Sequence, residues 1–350
     1  MKIIFFVNKS INSATARFRG YLFSEKLKEM YNTKIIKVDE IYNRYKFNFS
    51  RLKKLHFYYK CLKNQNNDDI IYLVKTVYNF DFLLIIIFFK FIYKKKIIFD
   101  FDDAIYIKPF TKISTVILTS ISNAVIVGSN ILYRWSKKKN TNTFKIPTSI
   151  PYKKYKCIKK KKNKIFTIGW IGNGNNHFKN LIILKPIFEE LIKKNIKFKF
   201  RLIGMANNSK ILRLFKSVKG LKFEYKNHIN WKNVNSTVKE IKKFDIGVMP
   251  LIKDEKTLGK CAFKIIEYMG SGIPVLASPV GENRIVIRHK KDGFLCRDTN
   301  DWVKKILKLK EDKTLRKKFI LNSLIKIEKS YSLDSNMIKL ENILRKIDAN

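Results

Sequence analysis

Three stretches of this sequence combine residue types that handle anions. The first is Gly172-Asn173-Gly174-Asn175-Asn176, which sits where a strand pattern gives way to a helix pattern. Small residues let backbone N–H groups approach an anion, and a helix N-terminus adds favourable partial charge. Lys179 falls in the first turn of that helix, and His177 lies beside the loop. Neither the GxGxxG nor the Walker A spacing is met, so no dinucleotide or P-loop fingerprint is present. The second stretch runs from Gly259 to Met269. Read as one helix, it puts Lys260, Lys264 and Glu267 at i, i+4 and i+7, on a single face. Two ammonium groups and a carboxylate on one face suit a diphosphate and a ribose diol. The same lysine and glutamate also make an ordinary surface pair. The third stretch is Gly270–Pro274, a helix-stopping turn, followed by a strand and the loop holding Gly281 and Glu282. A glycine C-cap explains the turn without function, while the loop follows a strand and can offer backbone donors.

Two further groups lie in the first half. Asp100-Phe101-Asp102-Asp103 directly follows an apolar strand pattern. Carboxylates so close together can bind a divalent cation, or can simply balance neighbouring lysines. The run also resembles the first motif of the haloacid-dehalogenase phosphatases, in which the first Asp is the nucleophile. Ala104 stands where that motif carries Thr or Val. Arg17 and Arg19 occupy the loop region after the first strand; at i and i+2 they do not share a helix face. His56, His177, His228 and His289 show no metal-ligand spacing.

The elements that must carry these residues alternate. Apolar, β-forming runs predict parallel strands over 2–7, 34–38, 69–74, 96–101 and 123–127, with helices over 17–30 and 81–92. Strands are again expected over 164–171, 197–203, 221–224, 245–249 and 274–277. Helices are expected over 178–194, 261–269, 301–329 and 333–347. The pattern is α/β, with two doubly wound halves. Between them Pro147 and Pro151 precede a dense lysine run, which reads as a solvated linker. The expected organisation is a first Rossmann-like domain over 1–152, a basic linker over 153–164, a second Rossmann-like domain over 165–330, and a final helix over 331–350. Ligands of such sheets bind at the carboxyl ends of the strands.

Composition bounds the rest. The chain has 350 residues, 74 Lys plus Arg against 28 Asp plus Glu, and a net charge of +46. Such charge fits a strongly anionic partner or surface. Only twelve of the basic residues are Arg. Lys, Asn, Ile, Phe and Tyr all have A/T-rich codons, so part of the excess reflects base composition. The scarcity of bidentate Arg argues against nucleic acid. Four Cys without CxxC spacing argue against a disulfide framework and point to a reducing compartment. The apolar run at the start is short for a signal peptide, and no run approaches the roughly 20 residues of a membrane span. The expectation is a cytoplasmic protein, with the inner face of the plasma membrane as a second location.

Taken together these residues resemble family 4 of the retaining, nucleotide-sugar-dependent glycosyltransferases, which have the GT-B fold. The resemblance is carried by DIGVMPL (245–251), GKCAFKIIEYMGSGIPVLASPVGEN (259–283) and DGFL (292–295). It is supported by IGWIGNGNNHFKNL (168–181), DFDDAIY (100–106), NAVIVGSN (123–130) and the Arg17/Arg19 loop. It implies an acceptor domain, then a donor domain facing it across a cleft, then a helix crossing back. Glu267 matches the second Glu of the family's E-x7-E motif, which holds the donor ribose. Gly259 stands in place of the first, and Ile285 replaces an acidic residue, with Glu282 nearby. Lys179 matches the lysine of the diphosphate-clasping Arg/Lys pair, whose Arg is absent; Lys260 and Lys264 are expected to make up that charge. Donor contacts are thus expected from Gly172, Asn173, Gly174, Lys179, Lys260, Lys264, Glu267, Gly281 and Glu282. Lys179 and Lys264 are the expected catalytic cations. Asp102 and Asp103 are expected to orient an acceptor hydroxyl, with Arg17 and Arg19 on the acceptor side. The resemblance implies no metal or other cofactor and a saccharide or lipid-linked saccharide acceptor in cell-surface polysaccharide, lipopolysaccharide or glycolipid synthesis. A phosphohydrolase using Asp100 and a non-catalytic polyanion-binding relative are the alternatives.

Overall fold

The computed structural model describes residues 1–38, 49–66, 68–160 and 162–349. Among these, strands form two parallel sheets of six. The chain folds as two units, Met1–Ser149 with Asn336–Asn350, and Ile150–Ser335.

In the first unit the strands are β1 (Lys2–Val7), β2 (Asn32–Lys37), β3 (Ile70–Val74), β4 (Lys96–Phe101), β5 (Ala124–Val127) and β6 (Thr143–Lys145). They lie in the order β2-β1-β3-β4-β5-β6. β1, β3, β4 and β5 are almost wholly buried, as continuous apolar runs covered on both faces must be. The edge strand β2 instead alternates exposed and covered residues and carries Lys34 and Lys37, which discourages pairing with another chain. Strand order reverses between β1 and β3, the place where sheets of this type open a crevice. The last helix runs from Leu333 to Asp348 and belongs to this unit from Asn336 onward. Its end is tied in by Lys96 Nζ on the Asp348 carbonyl at 2.9 Å.

In the second unit the strands are β7 (Thr167–Ile171), β8 (Lys199–Ile203), β9 (Lys222–Lys226), β10 (Ile246–Met249), β11 (Val275–Ala277) and β12 (Phe294–Leu295). Their order is β12-β11-β10-β7-β8-β9, so the switch point lies between β7 and β10. Gly169 and Gly247 face one another there. A side chain on Gly247 would meet the ring of Tyr268 at 2.6 Å, and one on Gly169 would collide with Phe244. The two glycines therefore admit the two rings that close the sheet on the helix behind it.

Several expectations change. The basic stretch over 153–164 is not simply an extended linker. Tyr152–Lys156 is a helix, Tyr155 is fully buried, and Lys160 pairs with Asp245 at 2.9 Å, all within the second unit. Residue 161 lies outside the described residues. The single helix expected over 301–329 is two, Thr299–Glu311 and Lys313–Ser330. Asp312 leaves the helical conformation and its carboxylate caps the second helix at the N–H of Leu315. The helix expected over 17–30 opens as a π-helix, Ala16–Tyr21.

One carboxylate of the second unit carries a large electrostatic load. Glu240 accepts from Arg201 at 2.8 Å, Lys243 at 3.1 Å and Lys226 at 3.2 Å. Its partial burial would raise its pKa, but the three cations override this and hold it at about 2, below the ordinary 4.5. A depressed carboxylate stabilises the fold above its unfolded pKa, and that contribution is lost as pH falls from about 4.5 towards 2. Glu240→Gln is expected to cost on the order of 1–2 kcal/mol at pH 7, allowing for the exposed lysines. The deficit should vanish near pH 2 in thermal unfolding followed across that range.

Candidate functional site

The loops that follow β7, β10 and β11 meet at the carboxyl ends of three adjacent strands. Leu251 N–H, after β10, donates to Ser278 Oγ, after β11, at 2.9 Å. Ile252 N–H donates to Asn180 Oδ1, after β7, at 3.0 Å. Gly281 has φ +51°, and a Cβ there would lie 2.6 Å from the Leu258 carbonyl, so this close approach of two loops requires glycine. Glu282 and Asn283 beside it are buried, and Asn283 Nδ2 closes the loop on the Ser278 carbonyl at 3.0 Å.

The helix behind this site is Phe263–Gly270. Ala262 before it is left-handed, at φ +53°. Lys260 therefore precedes the helix, and the expected stripe of Lys260, Lys264 and Glu267 does not form: only the last two share the helix. A left-handed non-glycine residue breaks the i, i+4 relation that the spacing alone implied.

Lys264 crosses to the β7 loop. Its stem fills the place that a side chain on Gly172 would need. Its ammonium lies 5.3 Å from the centre of the Trp170 ring and 3.1 Å from His177 Nε2. An ammonium only donates, so Nε2 accepts. His177 is buried edge-on to Trp170 at 5.3 Å. Lys264, His177 and Trp170 thus form one cluster under the Gly/Asn loop. Glu267, one turn further on, is buried, and its Oε1 accepts from Tyr155 Oη at 2.9 Å. The next residue, Tyr268, uses its hydroxyl to accept from Ile171 N–H at 3.0 Å. Burial pushes that phenol well above its ordinary range, so it stays protonated.

The backbone amides do not stand where the sequence put them. Gly172 N–H donates to the Ile203 carbonyl at 3.0 Å, and Gly174 N–H to the Gly204 carbonyl at 2.8 Å. Both are spent on the end of β8, so the loop is braced against its neighbour rather than left open as an anion cradle. Asn173 is exposed, with its Oδ1 accepting from Asn175 N–H at 3.1 Å. Lys179 is exposed in the short helix Phe178–Leu181. A separate cavity of about 950 Å³ lies beside β12, lined by Arg284, His289, Arg297 and Lys304 among others. Its lining includes none of the residues expected to bind a donor.

In the first unit the acidic run divides. Asp100 is fully buried and receives Arg19 through both nitrogens of a fork, with Nη2–Oδ2 at 3.1 Å. Tyr72 Oη adds a bond at 2.6 Å, and Arg19 Nη1 reaches the Ile146 carbonyl at 2.8 Å. Burial raises the Asp100 pKa against the pull of Arg19 and Tyr72. This carboxylate is enclosed, which overturns the phosphohydrolase nucleophile reading, and Arg19 is a core ion-pair partner rather than an acceptor contact. Arg17 is also buried, and its Nη1 holds the preceding loop at the Ile11 carbonyl, 3.2 Å away.

Asp102 and Asp103 lie closer to the surface at the end of β4. Asp102 accepts from Thr15 Oγ1 at 2.8 Å and lies 4.0 Å from Lys75 Nζ. Asp103 pairs with the same lysine and is half exposed. Burial and the Asp103 charge raise the Asp102 pKa, opposed by Lys75, Arg19 and Thr15. Burial would lower Lys75, but Asp103 and Asp102 hold it well above its ordinary value. Sequence reasoning missed Lys75. It follows β3, at φ +54°, and its position after a strand was the available signal. Tyr155 was missed because its stretch read as solvated. Among the described residues no three His, Cys, Asp or Glu side chains gather as a metal-ligand group, and Cys61, Cys157, Cys261 and Cys296 are not joined in disulfides.

Residues 165–312 match the family model described as glycosyl transferases group 1. No curated protein matches the sequence. Among solved structures, a glycosyltransferase from Rickettsia africae is 15% identical, with a TM-score of 0.77 over 100% of this chain and 99% of its own. Sucrose-phosphate synthase from Thermosynechococcus elongatus is 12% identical, with a TM-score of 0.74 over 100% and 99%. HepE from Anabaena, solved with UDP and glucose, is 13% identical, with a TM-score of 0.72 over 99% and 100%. The fold is that of GT-B glycosyltransferases over the full chain.

Proposed function

We propose that this protein is a retaining glycosyltransferase that moves a sugar from a nucleoside-diphosphate donor to an acceptor hydroxyl. The observation that carries the reading is the placement of Lys264 and Glu267. They lie one turn apart on a single helix, at the switch point of the sheet, inside the stretch that matches the glycosyl transferase family model. HepE, which shares the fold, was solved with UDP and glucose, and this supports a nucleoside-diphosphate donor here.

In this mechanism Lys264 meets the diphosphate, with Lys179 on its exposed short helix and Lys260 just before the Lys264 helix adding charge. Negative charge grows on the diphosphate as the glycosidic bond breaks, and fixed cations favour that transition state over the ground state. The transition state is oxocarbenium-like. The acceptor attacks from the face that the diphosphate leaves, and the departing phosphate oxygen takes the acceptor proton, so no enzyme nucleophile is needed. Glu267 accepts from the ribose diol. Asp102 and Asp103, poised against Lys75, orient the acceptor hydroxyl, and the reaction needs no metal. The acceptor is a saccharide or lipid-linked saccharide of cell-surface polysaccharide, lipopolysaccharide or glycolipid synthesis.

The test is a thermal-shift panel of UDP, GDP, ADP and CMP with their sugar conjugates. A ligand that binds only the folded state raises the melting temperature by mass action. One nucleoside diphosphate is expected to do so by several degrees, with the matching sugar conjugate turned over in the presence of EDTA. Lys264→Met is expected to lower kcat/KM about 100-fold, an effect of roughly 2.7 kcal/mol on the transition state. Unchanged turnover in that variant would remove Lys264 from the mechanism, and no response to any nucleotide would remove the transferase reading.

A further inference from the structure

Two helices of the first unit, Phe49–Lys63 and Phe80–Phe91, turn apolar side chains outward. On the second of them Phe80, Leu84, Phe88 and Phe91 run down one side at 49, 52, 42 and 62% exposure, and Ile92 follows at 66%. The opposite side, with Phe82, Leu83, Ile86 and Phe89, is buried in the core. A helix apolar all round belongs inside a protein or against an apolar phase, and here one side of it stays exposed among the described residues. Contiguous exposed patches of this kind mark interaction sites.

The first helix borders this stripe. Tyr59 lies 6.4 Å from Phe88 and 5.3 Å from Phe89, and Tyr93 lies 5.6 Å from Phe88. Along the same helix Lys53, Lys54, Lys60 and Lys63 are exposed. The two helices contain one carboxylate, Asp81, and it is paired with Arg51. Among the described residues of the two helices, the face is thus an apolar stripe with tyrosines at its margin, a rim of lysines and one acid, which is paired.

We propose that this face docks on an anionic lipid bilayer surface. The apolar stripe enters the boundary between headgroups and acyl chains, Tyr59 and Tyr93 sit at headgroup level, and the lysines meet anionic headgroups. A second copy of the chain would set lysine rim against lysine rim with no carboxylate to answer it, so charge favours lipid. Among the described residues no helix is long and apolar enough to cross a membrane, so the helices lie on the surface. This docking is independent of the transferase reading, because vesicle binding requires no nucleotide.

The experiment is co-sedimentation of the full chain with vesicles of phosphatidylcholine alone and of phosphatidylcholine mixed with phosphatidylglycerol. Wild type is expected to partition onto the anionic vesicles and to be weakened by salt. Leu84→Ser with Phe91→Ser should lower partitioning about tenfold at low salt. Lys53→Glu with Lys60→Glu should lower it at least about tenfold. Lys313→Glu with Lys317→Glu, the same charge change on exposed residues of the second unit, should leave most of it intact. All three changes are on the surface, and unaltered melting temperatures confirm folding. Three results would overturn the proposal: binding untouched by the serine pair, equal loss in the second-unit control, or a dimer that the serine pair dissolves.

Discussion

Replacing Arg19 with methionine is expected to lower the unfolding free energy by about 3–5 kcal/mol. The guanidinium is fully buried, holds both oxygens of Asp100 and reaches the Ile146 carbonyl. Removing it leaves an enclosed carboxylate whose remaining side-chain partner among the described residues is Tyr72, and an uncompensated buried charge costs more than the lost bond. Asp100→Asn should cost a comparable amount, because it leaves the guanidinium uncompensated. Arg19→Met combined with Asp100→Leu should recover much of the loss, since apolar residues of similar volume often replace a buried ion pair without penalty. Urea unfolding with an unchanged slope is the measurement, and the double-mutant cycle isolates the pair. Single losses below about 1 kcal/mol would contradict the pair's role. These variants should lose stability and activity together, as an enclosed structural carboxylate requires.

Glu267→Ala is expected to abolish the thermal shift produced by the preferred nucleoside diphosphate and to lower kcat/KM at least about 100-fold. The carboxylate is buried on a helix at the switch point, with Tyr155 fixing Oε1. A carboxylate accepts strongly from a ribose diol, because charge-assisted bonds are roughly twice as strong as neutral ones. Glu267→Gln keeps the shape and an acceptor for Tyr155, so it should fold as wild type yet weaken the donor about tenfold, or about 1.4 kcal/mol. Tyr155→Phe frees the carboxylate from its hydroxyl partner and should change donor affinity less than either. Equal stabilisation of wild type and the alanine variant by nucleotide would show that Glu267 does not read the donor. Because Glu267→Gln controls for packing, a folding defect in the alanine variant does not obscure the answer.

The sheets were legible because their signal is local. KIIFFV, DIIYLV and KIIFDF are continuous apolar runs of strand length, and doubly covered parallel strands need such runs. The expected strand over 96–101 is found with the same bounds, and that over 69–74 begins one residue later. The short strands β6 and β12 escaped notice, having three and two residues and no apolar run to mark them. Helix ends were less legible. Nothing in GKCAFK announces that Ala262 is left-handed, because tertiary packing holds it there rather than its own preference.

The candidate site was legible as a set of loops and not as a set of contacts. Placing Lys264 and Glu267 near a loop after a strand required only periodicity and the rule that ligands bind at the carboxyl ends of strands. What each side chain does there depended on partners far away in the chain. Arg19 and Asp100 are 81 residues apart, and Tyr155 and Glu267 are 112 apart. Gly172 and Gly174 donate to β8, and Lys264 reaches His177 across 87 residues. By itself the sequence determined which segments become strands, that two such sheets form, and which loops end at their carboxyl edges, because these follow from residue types a few positions apart. Only the tertiary structure decided which of the charged groups are enclosed pairs and which face solvent. Burial and pairing are properties of the packed neighbours, and a lysine or an aspartate carries no mark of them in the sequence.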